Sequence, residues 1–284
     1  MARVHLILNG LSFGMLLFLI AAGLALIFGV MQVLNLAHGV FYALGVWIAI
    51  SVFRHTGSLM AASVVGVAGV VAIGVAIERW LLRRVPREEL PQALLTFGLM
   101  LILGDIALWV WGGTPQTLPR PDWLSGPVNI GSFVFPSYRL FVIAVGLAVG
   151  VILWYLQART RIGALIRAAV DDAEIAQSTG INVSLLSTAT FAFGAALAAF
   201  GGIVGGPIVG VHVGTELEVL LLSFVVVIIG GLGSLPGAFV GAVVVGLLDS
   251  VGKALIPEFA LFTLFVPMAV ILAIWPNGLF GRSA

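Results

Sequence analysis

Apolar stretches without a formal charge occupy most of this chain. No Asp, Glu, Lys or Arg occurs between Arg3 and Arg54, and the same holds between Glu174 and Glu216. Because a helix needs about 20 apolar residues to cross a bilayer, each stretch is long enough for at least one crossing. The whole pattern predicts membrane-spanning segments at about 6–29, 33–53, 58–80, 92–112, 138–157, 185–210, 218–232, 237–255 and 259–275.

The first two segments are separated by only a few residues, around Val30–Val33. Such a short link indicates either a tight hairpin or a broken segment that re-enters the membrane, and the two readings give different numbers of crossings. We therefore predict an all-α fold, a polytopic transmembrane helical bundle of about 8–10 spans that forms a single domain over residues 1–284.

One long polar segment interrupts the second half of the chain, from Arg159 to Val183. Asp171 followed by Glu174 matches a capping box, and Gly180 is a typical helix stop. A helix running unbroken from Gly163 would instead place the acids against the helix dipole. We therefore predict a short helix at about 172–179 with a turn before it; the alternative is a solvated connector between two spans.

Composition supports a membrane protein. The chain is 61% hydrophobic and 9% charged, with a mean hydropathy of +1.20, whereas soluble domains carry about 25% charged residues. A net charge of +1 predicts no nucleic-acid partner, and the absence of cysteine excludes disulfides and thiolate sites. The four histidines lack carboxylate neighbours at ligand spacing, so no metal site is expected. The start MARVH and the long apolar run after it predict a first span rather than a cleaved signal peptide.

Basic residues predict the orientation. Four arginines lie between Arg79 and Arg87, and three more lie between Arg159 and Arg167. Since loops rich in arginine stay in the cytosol, we expect 79–90, 158–184 and the C-terminus with Arg282 on the cytosolic side.

Few residues could support catalysis. The only lysine, Lys253, follows Gly252, but Leu247 and Ala254 stand where a P-loop has its first glycine and its Ser or Thr, so this chain is not itself an ATPase. Gly10–Gly14 matches G-x-S-x-G, and an intramembrane protease would pair Ser12 with His38 or His212. No strand–turn–helix context supports that enzyme reading.

Two acids fall at expected membrane depth. A charge at the bilayer centre costs about 2.5–3.5 kcal/mol on insertion scales, so Asp105 and Asp249 should face the bundle or a wet cavity. Asp105 could line a polar path, act in a proton relay or be a buried hydrogen-bonded acid; for Asp249 we favour the last. The run Asn35–Gly39 (NLAHG) is a polar break that could be a pathway element or a simple turn.

Three motifs together resemble one known family. They are NLAHG at Asn35–Gly39, RAAVDDAEIAQSTGIN at Arg167–Asn182 and GGLGSLPGA at Gly230–Ala238. Their order and spacing are similar to those of the branched-chain amino-acid ABC transporter permeases of the LivH type. The resemblance implies a non-catalytic, cofactor-free multi-pass subunit of the bacterial inner membrane. It also implies a second homologous permease subunit, two cytosolic ATP-binding subunits and an extracytoplasmic substrate-binding protein as partners.

The resemblance also implies roles for particular residues. The loop 158–184 would be the segment that couples to the ATP-binding subunits through a short cytosolic coupling helix. This sequence has arginine where the family motif usually opens with an acidic residue. The expected coupling residues are Arg167, Ala168, Ala169, Asp171, Asp172, Glu174, Gly180, Ile181 and Asn182. Apart from the resemblance, we expect Asn35, His38, Gly39, Asp105, Gly233 and Ser234 to lie on the translocation pathway.

Other functions remain as alternatives. A self-contained secondary transporter or channel for a small polar solute would need no ATPase, and Asp105 would be its ion-coupling acid. Within the ABC importers, urea or short-chain amides are a less favoured substrate class than branched-chain amino acids.

Overall fold

The computed structural model describes residues 2–86, 88–130, 133–259 and 262–281. Arg87 and Arg282, used above to predict orientation, lie outside these ranges. Eleven α-helices account for most of the described chain. They are α1 Ala2–Met31, α2 His38–Thr56, α3 Leu59–Trp80, α4 Glu89–Trp111, α5 Ser137–Arg159, α6 Arg161–Asp171, α7 Ala173–Ser178, α8 Val183–Val209, α9 Thr215–Gly230, α10 Leu235–Leu255 and α11 Phe262–Ile274.

The nine predicted apolar segments coincide with α1–α5 and α8–α11. Seven of these helices are long and apolar enough to cross a membrane. The other two are shorter, with 16 residues in α9 and 13 in α11. The predicted polytopic helical bundle is therefore confirmed. One addition is a small antiparallel hairpin between α4 and α5, in which β1 Pro127–Ile130 pairs with β2 Phe133–Pro136.

The inner and outer helices differ sharply in burial. In the most apolar window of α1, 72% of the residues are buried, against 17% in α4. Close backbone contact explains how α1 packs against α10, because Gly10 lies against the carbonyl of Gly246 and Gly14 against that of Ala242. In lipid, burial of apolar surface gives little drive for helix association, so small residues that permit such contact stabilise the bundle.

Two parts of the chain repeat one arrangement. In α1–α3 and in α8–α10, a long helix is followed by a short irregular segment, a second helix, a glycine-containing turn and a third helix. The packing is reciprocal, since α1 packs on α10 while α8 packs on α3. The end of α1 lies beside the start of α8, and the two helices are antiparallel. The two units therefore have inverted topology, as in many transporters.

The first irregular segment places the start of α2 inside the bundle. The Nε2 atom of His38 lies 2.9 Å from the carbonyl oxygen of Ile20, in the middle of α1. At 1.5 Å rise per residue, Ile20 is about 16 Å from the end of α1 at Met31. The short link is therefore not a tight hairpin, because the chain runs back into the bundle and the span predicted to begin at residue 33 begins as a helix only at His38. It is broken but not re-entrant, since α2 continues to the opposite end of the bundle, where Arg54 donates to the side chain of Gln116.

Candidate functional site

Six arginines mark one end of the bundle, which we call the arginine-rich end. They lie at the end of α3, in the turn after it, at the end of α5 and in α6: Arg79, Arg83, Arg84, Arg159, Arg161 and Arg167. The helices α6 and α7 project at this end. We refer to residues 161–182 as the α6–α7 segment.

The polar segment folds into two helices rather than one. Thr160 caps α6 by accepting a hydrogen bond from the amide of Gly163. Asp172 then breaks the helix with extended backbone, and its Oδ1 accepts hydrogen bonds of 2.9 Å from the amides of Glu174 and Ile175. The predicted short helix is therefore present, but its N-cap is Asp172 and not Asp171. The predicted turn before it is wrong, because α6 continues to Asp171 and the break is one residue long.

Gly180 ends α7 as the sequence predicts. Its φ is +90°, a left-handed conformation that favours glycine. The amide of Gly180 donates to the carbonyl of Gln177 at 3.0 Å, and the amide of Ile181 donates to that of Ala176 at 3.1 Å. These two bonds form a Schellman motif, so α7 has defined geometry at both ends.

The α6–α7 segment has a buried side and a charged side. Ala169 and Ala176 pack with Val183 in a small apolar cluster, so the small-residue side of α7 faces the protein. Ile162 and Ile175 are apolar but exposed, with 56% and 63% of their surface accessible. Of the other predicted coupling residues, Ile181 is half-buried and the rest are exposed. The exposed ones are Arg167, Ala168, Asp171, Asp172, Glu174, Gly180 and Asn182. The exposed surface thus combines carboxylates with isolated apolar side chains.

Asn182 connects this segment to the bundle. Its side-chain oxygen accepts a 2.9 Å hydrogen bond from the amide of Leu185, so it caps α8. The helix α7 is therefore joined to the membrane helix α8 through a short capped junction.

A buried ionic network then joins α8 to α3, and no pattern in the sequence indicates it. Glu78 is 2% exposed and binds Arg83 at 2.9 Å. Thr188 donates to the other Glu78 oxygen at 2.7 Å, while Arg83 donates to the carbonyl of Ser184 at 2.9 Å. The start of α8 is thus fixed to the end of α3 by charge-assisted bonds, which are stronger than neutral ones.

A cavity of ≈ 620 Å³ lies behind α6 at the same end. Gly233 and Ser234, two predicted pathway residues, line it together with Arg167. Ser234 is the N-cap of α10 and accepts a hydrogen bond from the amide of Gly237. The structure therefore brings part of the predicted coupling set and part of the predicted pathway set to one cavity.

The NLAHG residues form a separate polar group in the centre of the bundle. Asn35 and His38 are 0% exposed, and the Asn35 amide atoms and the second ring nitrogen of His38 find no hydrogen-bond partner among the described residues. Gly39 allows α2 to approach α9, because a Cβ at that position would overlap the carbonyl oxygen of Glu216. The first turns of α2 and α9 thus meet inside the bundle, where discontinuous helices of transporters form their substrate sites.

Asp105 departs from its predicted place. It is exposed on α4, whereas Gln92, Thr96 and Met100 lie on the buried side of that helix. Its side chain therefore does not face the interior of this subunit, and its place on the translocation pathway stays a prediction. Asp249 follows its expectation: it is 6% exposed and binds Lys253 at 2.8 Å.

The geometry does not support the protease reading. Ser12 precedes Ile20, the backbone neighbour of His38, by eight residues in α1, which is about 12 Å along the axis. His212 contacts the carbonyl of Val213 and the carboxylate of Glu218. Neither histidine is within hydrogen-bond reach of Ser12 as a general base would need to be.

Comparison with known proteins decides the family. The family model for the "Branched-chain amino acid transport system / permease component" matches residues 6–275. The chain belongs to this family. This branched-chain amino-acid permease is accordingly a multi-pass membrane protein and a permease component, and the resemblance inferred from its three motifs is confirmed.

Curated relatives cover nearly the whole permease. The high-affinity branched-chain amino acid transport system permease protein LivH of Escherichia coli (strain K12) is 27% identical over 294 residues, covering 96% of this chain and 94% of the relative. BraD, the corresponding high-affinity permease protein of Pseudomonas aeruginosa, is 25% identical over 291 residues, with 97% and 95% covered. A probable LivH of Methanocaldococcus jannaschii is 27% identical over 262 residues, with 86% and 80% covered. No solved structure matches this permease.

Proposed function

We propose that this chain is the membrane-spanning permease subunit of an ATP-binding-cassette importer for branched-chain or related amino acids. The described α6–α7 segment carries this proposal. It is a helix pair capped at both ends, exposed on its charged side and attached to α8 through Asn182. A rigid, charged projection of this kind suits a surface on which a separate protein pushes.

The proposed energy source is ATP hydrolysis in two separate cytosolic ATP-binding subunits, so this chain is not catalytic. The transporter would have two arrangements of the bundle, and ATP would bind the ATP-binding subunits more tightly in one of them. Nucleotide binding would therefore shift the population toward that arrangement. The α6–α7 segment would receive the motion, and the network of Glu78, Arg83 and Thr188 would carry it from α8 to α3. The whole chain acts as one permease domain in this scheme.

The proposed orientation places the arginine-rich end in the cytosol, according to the positive-inside rule. Segments 79–90 and 158–184 and the C-terminus then face the ATP-binding subunits. An extracytoplasmic binding protein would deliver the amino acid at the opposite end. The membrane in question is the bacterial inner membrane.

The exposed Asp105 supports a second, homologous permease subunit. A carboxylate directed into lipid costs about 2.5–3.5 kcal/mol, and the side of α4 that contains it is exposed in this subunit. A partner that covers this side removes the cost. We propose that α4 contributes to the interface between the two permeases.

We also propose a path for the substrate. The residues along or near it are Asn35, His38, Gly39, Gly233 and Ser234.

Single-cysteine cross-linking tests the coupling role, since the native chain has no cysteine. Ser178→Cys places a unique thiol on the exposed side of α7, and Ser125→Cys places one on an exposed loop at the opposite end. With the ATP-binding subunits of the same transporter present, we expect Ser178→Cys to form a cross-link and Ser125→Cys to form none. Equal cross-linking of both variants, or cross-linking of Ser125→Cys alone, would contradict the proposal.

Charge reversal gives an independent test. Glu174→Lys changes an exposed carboxylate that follows the N-cap of α7 and should abolish ATP-driven uptake while the subunit still inserts. Asp122→Lys, an exposed reversal in the loop between α4 and α5, is the control for assembly with the ATP-binding subunits. Wild-type uptake by Glu174→Lys would exclude that residue from the coupling surface.

A further inference from the structure

The ≈ 620 Å³ cavity at the arginine-rich end has a defined position between the inner and outer helices. Its walls are the last turns of α1, the end of α5 with α6, the turn between α9 and α10, and the end of α11. The helix α5 packs on α1, whereas α11 packs on α9 and α10. The cavity therefore lies between α5 and α11, both of which expose apolar side chains such as Val151 and Val270, as helices in contact with lipid do.

The uncharged polar side chains of the cavity lie at or near helix ends. Gln32 follows α1, Gln157 is two residues from the end of α5, Ser234 precedes α10 and Asn277 follows α11. Since these helices end at the membrane surface, the polar lining lies at the level of lipid headgroups.

Part of the apolar lining lies deeper in the membrane. Ala25 and Leu26 are in α1, five to six residues before its end at Met31, whereas Leu272 is two residues before the end of α11. Along α1 this separation corresponds to about 8–9 Å from the helix end. On the α1 side the cavity therefore reaches below the level of the polar side chains.

Arg167 supplies the only formal charge among the described residues that line the cavity. One of its terminal nitrogens donates a hydrogen bond to the carbonyl oxygen of Gln157, which holds the guanidinium at the cavity wall. A guanidinium has five N–H donors in a fork that matches phosphate oxygens. This bond occupies one of them, so the group is positioned to bind an anion.

We propose that this cavity binds one phospholipid with an anionic headgroup, taken from the adjacent leaflet. The phosphate and its anionic headgroup lie beside Arg167 and the amides of Gln32 and Gln157, and an acyl chain lies along Leu26 and Leu272. Basic pockets between membrane helices commonly bind acidic headgroups. A zwitterionic amino acid fits less well, because its ammonium group would need an acidic partner and the described lining contains no Asp or Glu.

Native mass spectrometry of the full chain in detergent tests the site. The protein is titrated with phosphatidylglycerol, with phosphatidylcholine of identical acyl chains, and with leucine. We expect one phosphatidylglycerol to remain bound at the lowest concentration, and Arg167→Gln to weaken its binding by about tenfold, as loss of a charge-assisted bond implies. Arg161→Gln, in the same helix and outside the cavity, is the matched control and should bind like the wild type.

A second variant addresses the apolar part and covers the case in which Arg167→Gln does not fold. Leu272→Trp fills part of the apolar space of the cavity without changing its charge, and it should release both phospholipids. Equal effects of Arg167→Gln and Arg161→Gln would overturn the proposal, as would equal affinity for the two phospholipids. Saturable leucine binding that displaces phosphatidylglycerol would assign the cavity to the amino acid instead. Because no readout depends on transport, failure here leaves the proposed importer function untouched.

Discussion

Gly180 provides a sharp test of whether α7 must be rigid. Its φ of +90° is left-handed, and a Cβ added at this position would meet no atom within 4 Å. Gly180→Ala therefore adds no clash, and its cost is purely conformational. For an L-residue the left-handed region costs about 1–2 kcal/mol, which would favour opening of the Schellman motif.

Hydrogen exchange measures this conformational cost directly. A change of about 1–2 kcal/mol raises the population of the opened helix end roughly 5- to 30-fold. The amide of Ile181, which donates to Ala176, should exchange faster by the same factor. ATP-driven uptake should fall as well, because an α7 whose C-terminal end is open would deform when the ATP-binding subunits push on it and would transmit less of their motion to α8.

Gly180→Asn is the matched control, since asparagine also has a Cβ but tolerates the left-handed conformation. We expect exchange and uptake close to those of the wild type. If Gly180→Ala leaves the Ile181 amide as protected as in the wild type, the conformational argument is wrong. If exchange rises while uptake is unchanged, α7 does not need its defined end for coupling.

Three further predictions concern the bundle. Glu78→Gln removes the ion pair with Arg83 and should destabilise the purified subunit by about 1–3 kcal/mol, seen as a lower Tm in detergent; an unchanged Tm would show that the network contributes nothing. Gly39→Ala should lower Tm because its Cβ would overlap the Glu216 backbone, whereas Gly98→Ala, which meets no atom within 4 Å, should not; equal effects would refute the close contact. Asp105→Asn should leave the Tm of the isolated chain unchanged and alter only its assembly with the second permease; a large change in the isolated chain would contradict its exposed position.

The length of the uncharged apolar stretches was sufficient to predict the nine membrane helices. All nine apolar segments are helices, because a segment in lipid has no water to bind and a helix satisfies the backbone hydrogen bonds within the segment itself. Gly180 was predicted correctly because a helix stop is a local property. The N-cap was assigned to Asp171 rather than Asp172, since two adjacent acids can both cap. Only the continuation of α6 from its Thr160 cap decides between them.

Long-range contacts could not be predicted in this way. Glu78 and Thr188 are 110 residues apart, and no local pattern indicates that α3 and α8 end side by side. The position of Asp105 was missed for a similar reason. A rule for isolated acids in membranes predicts that they are covered, but not whether the cover is this chain or another subunit. The start of α2 at His38 likewise depends on how Asn35 and Thr96 are placed against neighbouring helices.

Leucine accumulation in proteoliposomes tests the central claim most directly. The purified chain is reconstituted alone under a proton or sodium gradient, and in parallel with its second permease, ATP-binding subunits, binding protein and ATP. We predict uptake only in the complete, ATP-supplied vesicles, and its loss when Glu174→Lys replaces the wild-type chain. Gradient-driven accumulation by the chain alone would contradict the claim that force enters through the α6–α7 segment from a separate ATPase.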